Sequence, residues 1–312
     1  MGYLALTGGI GGAKLAVGLA RILAAEEIAF LVNTGDDFEH LGLHISPDMD
    51  TLTYTLAGLS NAEAGWGRKD ESWHFMAALD ELGGETWFRL GDRDLALHVT
   101  RTGMLRQGVT LTQATRRIAA TLGVRQPIIP MSDDPVRTQV HTASGPMAFQ
   151  HYFVRDRCQP AVTGFEFAGA GNARPSPDLA VHLEGCEGII ICPSNPFVSV
   201  DPILAVPGLK EALKASGVPL VAVSPIVGGR AVKGPTAKMM GELGMPATAG
   251  QVAEHYAGLI DGFILDERDA ALDGALAMPT RVAQSLMVTL EDREGLAAQA
   301  LDFIRTLNGG ST

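Results

Sequence analysis

Cysteine, long apolar runs and positive charge are all scarce in this chain of 312 residues. The three cysteines, Cys158, Cys186 and Cys192, have no paired spacing, which argues against a zinc site and predicts a reducing, cytoplasmic location. No uninterrupted apolar stretch reaches the roughly 18 residues that a membrane span needs. Glycines interrupt the N-terminal region where a signal peptide would have its apolar segment, so we expect no targeting segment.

Acidic residues outnumber basic residues by 35 to 24, which gives a net charge of −11. This balance argues against nucleic acid or an anionic membrane surface as a partner. Local cations and helix dipoles still allow a small anionic substrate. The hydrophobic fraction of 46% is ordinary for a globular chain that buries a sizeable core.

A glycine-rich turn follows the first predicted strand, residues 3–6. Residues 7–14 are Thr-Gly-Gly-Ile-Gly-Gly-Ala-Lys, and an apolar-periodic stretch begins at Leu15. A strand, a glycine turn and a helix together aim backbone N–H groups at an anion. The turn is neither a Walker loop nor a dinucleotide fingerprint, and a tight turn without a ligand is the alternative. Its four glycines favour a phosphate site that comprises Gly8, Gly9, Gly11, Gly12 and Lys14.

A second loop of the same kind, with Ser194 and Asn195, follows the apolar run 188–191. Two such loops at strand ends predict a phosphorylated ligand that lies across the edge of a parallel sheet. A third candidate anion site lies near Lys233 and Lys238, at the start of a later helix.

The order of the predicted elements indicates the fold class. Strands and helices alternate in the first 33 residues and again from residue 187 onward, which is typical of an α/β protein with a Rossmann-like, doubly wound, mostly parallel sheet. Between these parts, residues 61–125 are mostly helical, and segments 137–142 and 147–154 alternate like an antiparallel hairpin. The predicted domains are a core of residues 1–60 and 155–312 and an inserted subdomain, helical with a short β-hairpin, of residues 61–154.

Two carboxylates, Asp48 and Asp50, stand near a predicted helix start. Asp is favoured at helix caps and in first turns, so capping alone is one interpretation. Because the two residues need not serve the same cap, one is free to bind a ligand hydroxyl, take a proton or hold a hard cation such as Mg²⁺. Further along, Arg93 lies between two carboxylates, where it can bind a phosphate or carboxylate or only join a surface ion-pair network.

In their order along the chain, these strings resemble the 2-phospho-L-lactate transferases of deazaflavin coenzyme F420 biosynthesis. The resemblance covers most of the chain, from the first strand to about residue 270. The glycine turn departs from the family pattern, which often has Thr and Pro inside it. The strings that carry the resemblance are Thr7-Gly8-Gly9 with Lys14, Val32-Asn33-Thr34, residues 46–51, 90–94, 130–136, 193–196 and 223–226, Gly234-Pro235 with Lys238, and residues 266–269.

The resemblance implies a specific reaction. A guanosine diphosphate ester of a three-carbon phospho-acid is the donor, and the deazaflavin Fo (7,8-didemethyl-8-hydroxy-5-deazariboflavin) is the acceptor. The terminal ribityl hydroxyl attacks the phosphorus that bears the acid, GMP leaves, and coenzyme F420-0 or its dehydro form results. The resemblance also implies Mg²⁺ and a homodimer. It leaves open whether the acid is 2-phospho-L-lactate, phosphoenolpyruvate or phosphoglycerate.

The residue patterns and the resemblance together predict the site. Asp50 and Asp48 are the predicted catalytic residues, and they are also the candidates for metal ligands, which stay open. The predicted Fo-binding residues are Asp50, Arg93 and Asn33. The predicted diphosphate-binding residues are Gly8, Gly9, Gly11, Gly12, Lys14, Ser194 and Asn195.

Two other functions stay open on the sequence. One is a non-enzymatic sugar-nucleotide-binding regulator of the same superfamily. The other is a nicotinamide or flavin oxidoreductase, which the missing third glycine disfavours. Asn33 also disfavours it, because such an enzyme would have an acidic residue near this strand end to hold a ribose.

Overall fold

The computed structural model describes residues 2–61 and 66–309. The strands of these residues are β1 (Gly2–Thr7), β2 (Ile28–Val32), β3 (Phe38–His40), β4 (Leu43–Ile45), β5 (Ile128–Pro130), β6 (Arg137–Thr142), β7 (Gly145–Ala148), β8 (Val162–Ala168), β9 (Cys186–Ile191), β10 (Leu220–Val223), β11 (Ile226–Val227), β12 (Arg230–Ala231), β13 (Gly262–Asp266) and β14 (Thr280–Ala283). The helices are α1 (Gly9–Ile22), α2 (Pro47–Leu56), α3 (His74–Glu81), α4 (Asp92–Arg106), α5 (Leu111–Thr121), α6 (Asp178–Leu183), α7 (Asp201–Leu204), α8 (Leu209–Ala215), α9 (Thr236–Glu242), α10 (Ala249–His255) and α11 (Leu290–Gly309).

A seven-stranded parallel sheet lies at the centre, with the strand order β14-β13-β10-β9-β1-β2-β5. The inner strands are nearly continuous apolar runs because both faces of the sheet are covered. Leu4 and Leu6 of β1 pack into one core with α8 and α10, whereas Tyr3 and Ala5 pack into a second core with α1 and α11. The predicted α/β fold with a parallel sheet is therefore confirmed.

The strand order reverses beside β1. The chain first runs from β1 to β2 and β5, and later resumes on the other side of β1 with β9 and continues to β14. Leu6 pairs with Ile191, so the carboxyl ends of β1 and β9 lie side by side. Loops diverge at such a switch point and leave a crevice that ligands use. Both loops predicted to bind phosphate start here.

The segment predicted as an insertion contributes to the main sheet. Strand β5 lies within residues 61–154, yet it pairs with β2 in the seven-stranded sheet. The predicted hairpin is present as β6 and β7, and β8, which lies beyond the predicted boundary, adds a third strand to it. The division of the chain into a core and an insertion stays a prediction, but β5 belongs to the sheet.

The second strand of the predicted hairpin is shorter than expected. Residues 151–155 form a helical turn instead of continuing the strand to residue 154. Phe149 and Tyr152 are both buried although they stand three residues apart, which suits a helical turn and not a strand. Strand β14 and helix α10, which are only four and seven residues long, were not predicted from the sequence.

The mostly helical character predicted for residues 61–125 is confirmed in the described part of that segment by α3, α4 and α5. Helix α4 matters most for the site, because one of its faces packs toward the start of α2. Within residues 2–61 and 66–309, no helix combines the length and the hydropathy needed to cross a bilayer.

Candidate active site

A cavity of about 640 Å³ opens at the carboxyl ends of the strands. Part of its lining comes from the loops that follow β1, β9, β10 and β14. We call the part formed by Gly8–Gly11, Lys14 and 193–195 the glycine side. Another part of the lining is aromatic, and we call it the aromatic side; its members are Trp66, Trp87, Phe88, Phe149 and Phe153.

The backbones of the two loops on the glycine side lie close together, and hydrogen bonds join them. The Ser194 hydroxyl accepts a hydrogen bond from the Gly8 N–H at 3.2 Å and donates one to the Gly8 carbonyl at 2.8 Å. A Cβ at Gly11 would lie 2.5 Å from the Pro193 carbonyl oxygen, and a Cβ at Gly12 would collide with the Ser194 hydroxyl. Gly12 does not line the cavity and packs closely against Ser194, so a contact between Gly12 and the diphosphate stays a prediction.

The first turn of α1 offers free N–H groups to the cavity. The first N–H groups of a helix have no partner inside the helix, and the cap residue Gly8 supplies no side chain. The N–H of Gly9, whose φ is +66°, binds Asp48 Oδ1 at 2.8 Å. The N–H groups of Ile10 and Gly11 therefore remain as donors for an anion.

Lysine side chains add positive charge to the glycine side. Lys14 Nζ donates to the Met287 carbonyl at 2.7 Å. Burial lowers the pKa of Lys14, and the charge of Lys233, which also lines the cavity, lowers it further. A bound anion would offset this repulsion. Lys238 does not line the cavity, because its ammonium group binds the Pro160 carbonyl and Glu242.

Asp48 is a buried carboxylate held by neutral donors. Its Oδ2 accepts from Asn33 Nδ2 at 2.9 Å, and its Oδ1 accepts from the Gly9 N–H. Burial raises the pKa of Asp48 to about 6, although both hydrogen bonds lower it. Asn33 itself does not line the cavity; it also donates to the Val198 carbonyl and thereby holds Asp48 in place. A contact between Asn33 and Fo stays a prediction.

Asp36 is a second buried carboxylate that lines the cavity, and the sequence analysis did not select it as a site residue. Its Oδ1 has no hydrogen-bond partner among the described residues. Burial raises the pKa of Asp36 well above its usual value, and the charge of Asp48 raises it further. Two carboxylates that disfavour each other's ionised form are typical of a site that takes a proton or a cation.

Asp36 and Asp48 fit a magnesium ion better than the predicted pair does. Asp50, the other predicted candidate ligand, has both oxygens bound by Arg101. No group of three or more His, Cys, Asp or Glu side chains in the described ranges can hold a metal alone. Mg²⁺ is usually bound by one or two carboxylates together with substrate phosphates. Asp48 contacts the glycine side through the Gly9 N–H, and Asp36 lines the same cavity.

Asp50 lies two residues beyond Asp48 on α2 and faces a different neighbour, because positions i and i+2 of a helix point apart. The buried guanidinium of Arg101 binds both of its oxygens; Nη1 lies 3.1 Å from Oδ2, and Nη2 contacts Oδ1. Burial raises the pKa of Asp50, and the charges of Arg101 and His98 offset part of this rise.

One face of α4 meets Asp50 and Tyr54 of α2, and we call this contact the α2–α4 junction. Asp94, His98 and Arg101 occupy positions i, i+4 and i+7 and therefore share this face. The Tyr54 hydroxyl donates to Asp94 Oδ1 at 2.7 Å, and His98 Nε2 lies 3.2 Å from Asp94 Oδ2. Tyr54, Asp94 and His98 line the cavity, and the sequence analysis missed all three. Their helical spacing is the signal that could have identified them.

The aromatic side offers flat apolar surfaces. Trp87 contacts the rings of His40 and His151 edge to face, with centroid distances of 5.1 Å and 4.9 Å. Phe149 and Phe153 are stacked at 5.3 Å. Such a wall is suited to cover a planar ring.

Comparison with known proteins decides the family. A family model described as 2-phospho-L-lactate transferase CofD matches residues 4–306. The chain belongs to the CofD family. It is therefore a transferase that acts on small-molecule substrates, and this membership decides against the regulator and the oxidoreductase as alternatives.

Relatives of this CofD-family chain carry two different names. A 2-phospho-L-lactate transferase of Methanosarcina mazei is 39% identical, over 93% of this chain and 96% of its own. A phosphoenolpyruvate transferase of Streptomyces griseus is 40% identical, over 97% and 98%. Two solved structures of a UPF0052 family protein from Bacillus halodurans share the fold, with TM-scores of 0.62 and 0.63 at 16% identity. They cover 96% and 97% of this chain and 98% and 99% of their own.

In this CofD-family chain, Arg93 lies away from the cavity. Arg93 is exposed, does not line the cavity, and binds Glu71 through its backbone N–H. Arg89, four residues earlier, lines the cavity and lies 4.2 Å from the centre of the Trp73 ring. A contact between Arg93 and Fo stays a prediction, and Arg89 is the guanidinium that the geometry brings to the site.

Another family-like string, residues 130–135, has a structural role in this CofD-family chain. Asp133 accepts from the Thr112 N–H at 2.7 Å and so caps the start of α5. Asp134 accepts from the N–H of Arg174 at 3.0 Å. No residue of this string lines the cavity, so it joins β5 to its neighbours.

Proposed function

We propose that this CofD-family chain transfers an acid-bearing phosphoryl group from a guanosine diphosphate ester to the terminal ribityl hydroxyl of Fo. The products are GMP and coenzyme F420-0 or its dehydro form. One observation carries the proposal: a single cavity joins free N–H groups at the start of α1, buried carboxylates of α2 and an aromatic wall. The relatives named 2-phospho-L-lactate transferase and phosphoenolpyruvate transferase support it.

The donor's diphosphate binds at the glycine side. The N–H groups of Ile10 and Gly11 and the start of α1 face the anion, and Lys14 and Lys233 offset its charge. Ser194 and Asn195 hold the second loop in place beside the first; Asn195 Oδ1 accepts from a backbone N–H of its own loop at 3.0 Å.

Asp36 and Asp48 are the residues that hold Mg²⁺ in this proposal. The unpartnered oxygen of Asp36 and the proximity of Asp48 to the glycine loop support this assignment. When bound, the ion supplies charge neutralisation for the diphosphate. With a pKa of about 6, Asp48 is mostly ionised at neutral pH and is thus able to bind a cation.

Asp50 accepts the proton of the acceptor hydroxyl. A bond forms between the ribityl oxygen and the phosphorus that bears the acid, and the bond from this phosphorus to the oxygen of GMP breaks. The hydroxyl proton passes to the Asp50 carboxylate, and Arg101 keeps this carboxylate oriented. The deazaflavin ring lies against the aromatic side, where it is covered by Trp87 and Phe88.

Product analysis by mass spectrometry tests the proposal. The protein is incubated with Fo, GTP, a guanylyltransferase and one of the three acids: 2-phospho-L-lactate, phosphoenolpyruvate or phosphoglycerate. We expect the product mass with one of them, and about 10²- to 10⁴-fold slower formation of that product when Asp50→Asn replaces the parent protein. Absence of product and of GMP release with all three acids would overturn the proposal.

We also propose that the protein is a cytoplasmic homodimer that requires Mg²⁺. All three cysteines are free thiols, which suits a reducing compartment. Light scattering after size exclusion tests the dimer, and a monomeric mass would contradict it. Loss of turnover with a chelator, restored by Mg²⁺ alone, tests the metal.

A further inference from the structure

His98 is a buried side chain between two carboxylates. It is only 1% exposed, with Nε2 3.2 Å from Asp94 Oδ2 and Nδ1 3.7 Å from Asp50 Oδ2. Neither ring nitrogen has a hydrogen bond of good geometry to another described residue. Buried polar atoms without partners are costly, so a histidine here calls for an explanation.

Asp94 faces the Nε2 side of the ring. The Tyr54 hydroxyl donates a hydrogen bond to Asp94 Oδ1, and Asp94 Oδ2 is the oxygen that faces His98. The pairs Tyr54–Asp94 and Asp50–Arg101 both connect α2 to α4, and His98 lies between them on α4. Nδ1 is thereby directed at Asp50.

The Asp50 carboxylate has one lone-pair position left for a ligand. A carboxylate has about four lone-pair positions, two on each oxygen. The guanidinium of Arg101 takes one on each oxygen, and His98 Nδ1 faces the second one on Oδ2. The second position of Oδ1 is the one left for a ligand, and Asp50 lines the cavity.

We propose that His98 is a second positioning residue of Asp50, which acts together with Arg101 and faces only the Oδ2 side of the carboxylate. A shift of less than about 1 Å brings Nδ1–H into hydrogen-bond distance of Asp50 Oδ2, and catalytic hydrogen bonds commonly tighten in this way when substrate binds. Oδ1 is then the oxygen that takes the hydrogen of the acceptor hydroxyl. The inference rests on the proposed function, because it assigns that hydroxyl to Asp50.

Two amide variants of His98 test the roles of its two ring nitrogens separately. An asparagine amide reaches about as far as Nδ1, and a glutamine amide reaches about as far as Nε2. His98→Asn therefore keeps a donor for Asp50, whereas His98→Gln keeps a donor for Asp94 only. We expect His98→Gln to lower kcat at least tenfold with a less than threefold change in KM for Fo. We expect His98→Asn to recover kcat at least fivefold above His98→Gln.

Calorimetric binding of GDP and the melting temperature show whether each variant is folded. If His98→Gln does not fold, Asp94→Asn loosens the same ring from its other side, and we expect it to lower kcat in the same way. Equal kcat for the two histidine variants, or a loss confined to KM, would overturn the inference.

Crystal structures of both variants give a readout that needs no turnover. We expect the Asp50 carboxylate to rotate in His98→Gln and to keep its orientation in His98→Asn. An Asp50 side chain that stays in place in both variants would contradict the positioning role. If the parent protein makes no product, the proposed function fails, and the orientation of Asp50 still tests the role of His98.

Discussion

The glycine side and the α2–α4 junction hold their carboxylates in opposite ways. At the glycine side, Asp48 is bound by a backbone N–H and by the neutral amide of Asn33. At the junction, Asp50 is bound by the buried guanidinium of Arg101. The two carboxylates stand only two residues apart on α2, so the direction of each side chain, and not its place in the chain, decides its chemistry.

This difference has consequences for charge. Burial raises the pKa of Asp48 to about 6, and its neutral donors offset only part of this rise, so its charge changes readily with proton or cation binding. Asp50 and Arg101 form a buried pair, and loss of either partner leaves the other charge without compensation. The glycine side is therefore suited to exchange ions, and the junction is suited to keep one carboxylate fixed.

The largest effect is expected at the junction. Asp50→Asn removes the proposed proton acceptor and leaves Arg101 buried without a counter-charge. We expect the rate of GMP release to fall by about 10²- to 10⁴-fold and the free energy of unfolding to fall by about 3–5 kcal/mol. Initial rates and urea unfolding measure both quantities.

Asp134→Asn is the matched control for this variant. Asp134 also pairs with an arginine, Arg174, but the pair is largely exposed and lies outside the cavity. We expect the control to keep the parent rate within twofold. A rate within tenfold of the parent for Asp50→Asn would instead assign Asp50 a purely structural role.

A stability effect that depends on pH is expected at the glycine side. The folded pKa of Asp48, about 6, lies above its usual value of 3.8, so the native state holds this proton more tightly than the unfolded chain. The resulting stabilisation is complete below the unfolded pKa and is lost as the pH rises through about 6. The difference of about two units corresponds to roughly 3 kcal/mol.

Asp48→Asn cannot lose that proton. We therefore expect the parent protein to lose about 3 kcal/mol relative to Asp48→Asn between about pH 4 and pH 7, in metal-free buffer. Urea unfolding at several pH values measures the difference. A difference that does not change over this range would show that Asp48 has an ordinary pKa.

Gly11→Ala is expected to weaken the binding of GDP but not of Fo, which would distinguish the glycine side from the rest of the cavity. The added Cβ would lie 2.5 Å from the Pro193 carbonyl oxygen, so the two loops of the glycine side must move apart. We expect GDP to bind at least tenfold more weakly and Fo to bind within twofold of the parent. Calorimetric titration with each ligand measures both affinities.

Gly103→Ala in α4 is the control, because a Cβ there has nothing within 4 Å. It should leave both ligands unaffected and, in a helix interior, add about 0.5–1 kcal/mol of stability. Equal weakening of GDP and Fo by Gly11→Ala would mean that this glycine serves the fold as a whole.

The smallest effect is expected from two arginines of one segment. Arg89→Lys replaces a planar group that lies on the Trp73 ring and lines the cavity, and an ammonium group does not reproduce this stacking. We expect Fo to bind about fivefold more weakly to this variant. Arg93→Lys should bind Fo within twofold of the parent, and a larger loss would support the contact predicted for Arg93. Quenching of Fo fluorescence measures both.

The sequence predicted the fold class and the glycine side for one physical reason. The carboxyl ends of parallel strands meet at one edge of a sheet, so loops that are nearly two hundred residues apart become neighbours. Glycine and proline fix local backbone geometry, so these loops were visible in the sequence. Short elements such as β14 and α10 lack enough residues to show a period, and the analysis missed them.

The directions in which the side chains point could not be predicted from the sequence. The pattern selected Arg93 because it stands between two acids, but α4 begins at Asp92, whose carboxylate binds the N–H groups of His74 and Phe75. This arrangement turns Arg93 outward and leaves Arg89 at the cavity. Asn33 was similarly expected at the ligand, yet it lies behind Asp48 and orients it.

By itself the sequence determined the parallel sheet, the two loops predicted to bind an anion and the presence of carboxylates at the start of α2. These features depend on local backbone propensities and on strand order. Only the tertiary structure decided which carboxylate faces which partner, because Asp36 reaches the cavity from the loop after β2, whereas His98 and Arg101 reach Asp50 from α4. Their pKa values and orientations follow from burial and from neighbours brought close by packing, which a linear sequence does not state.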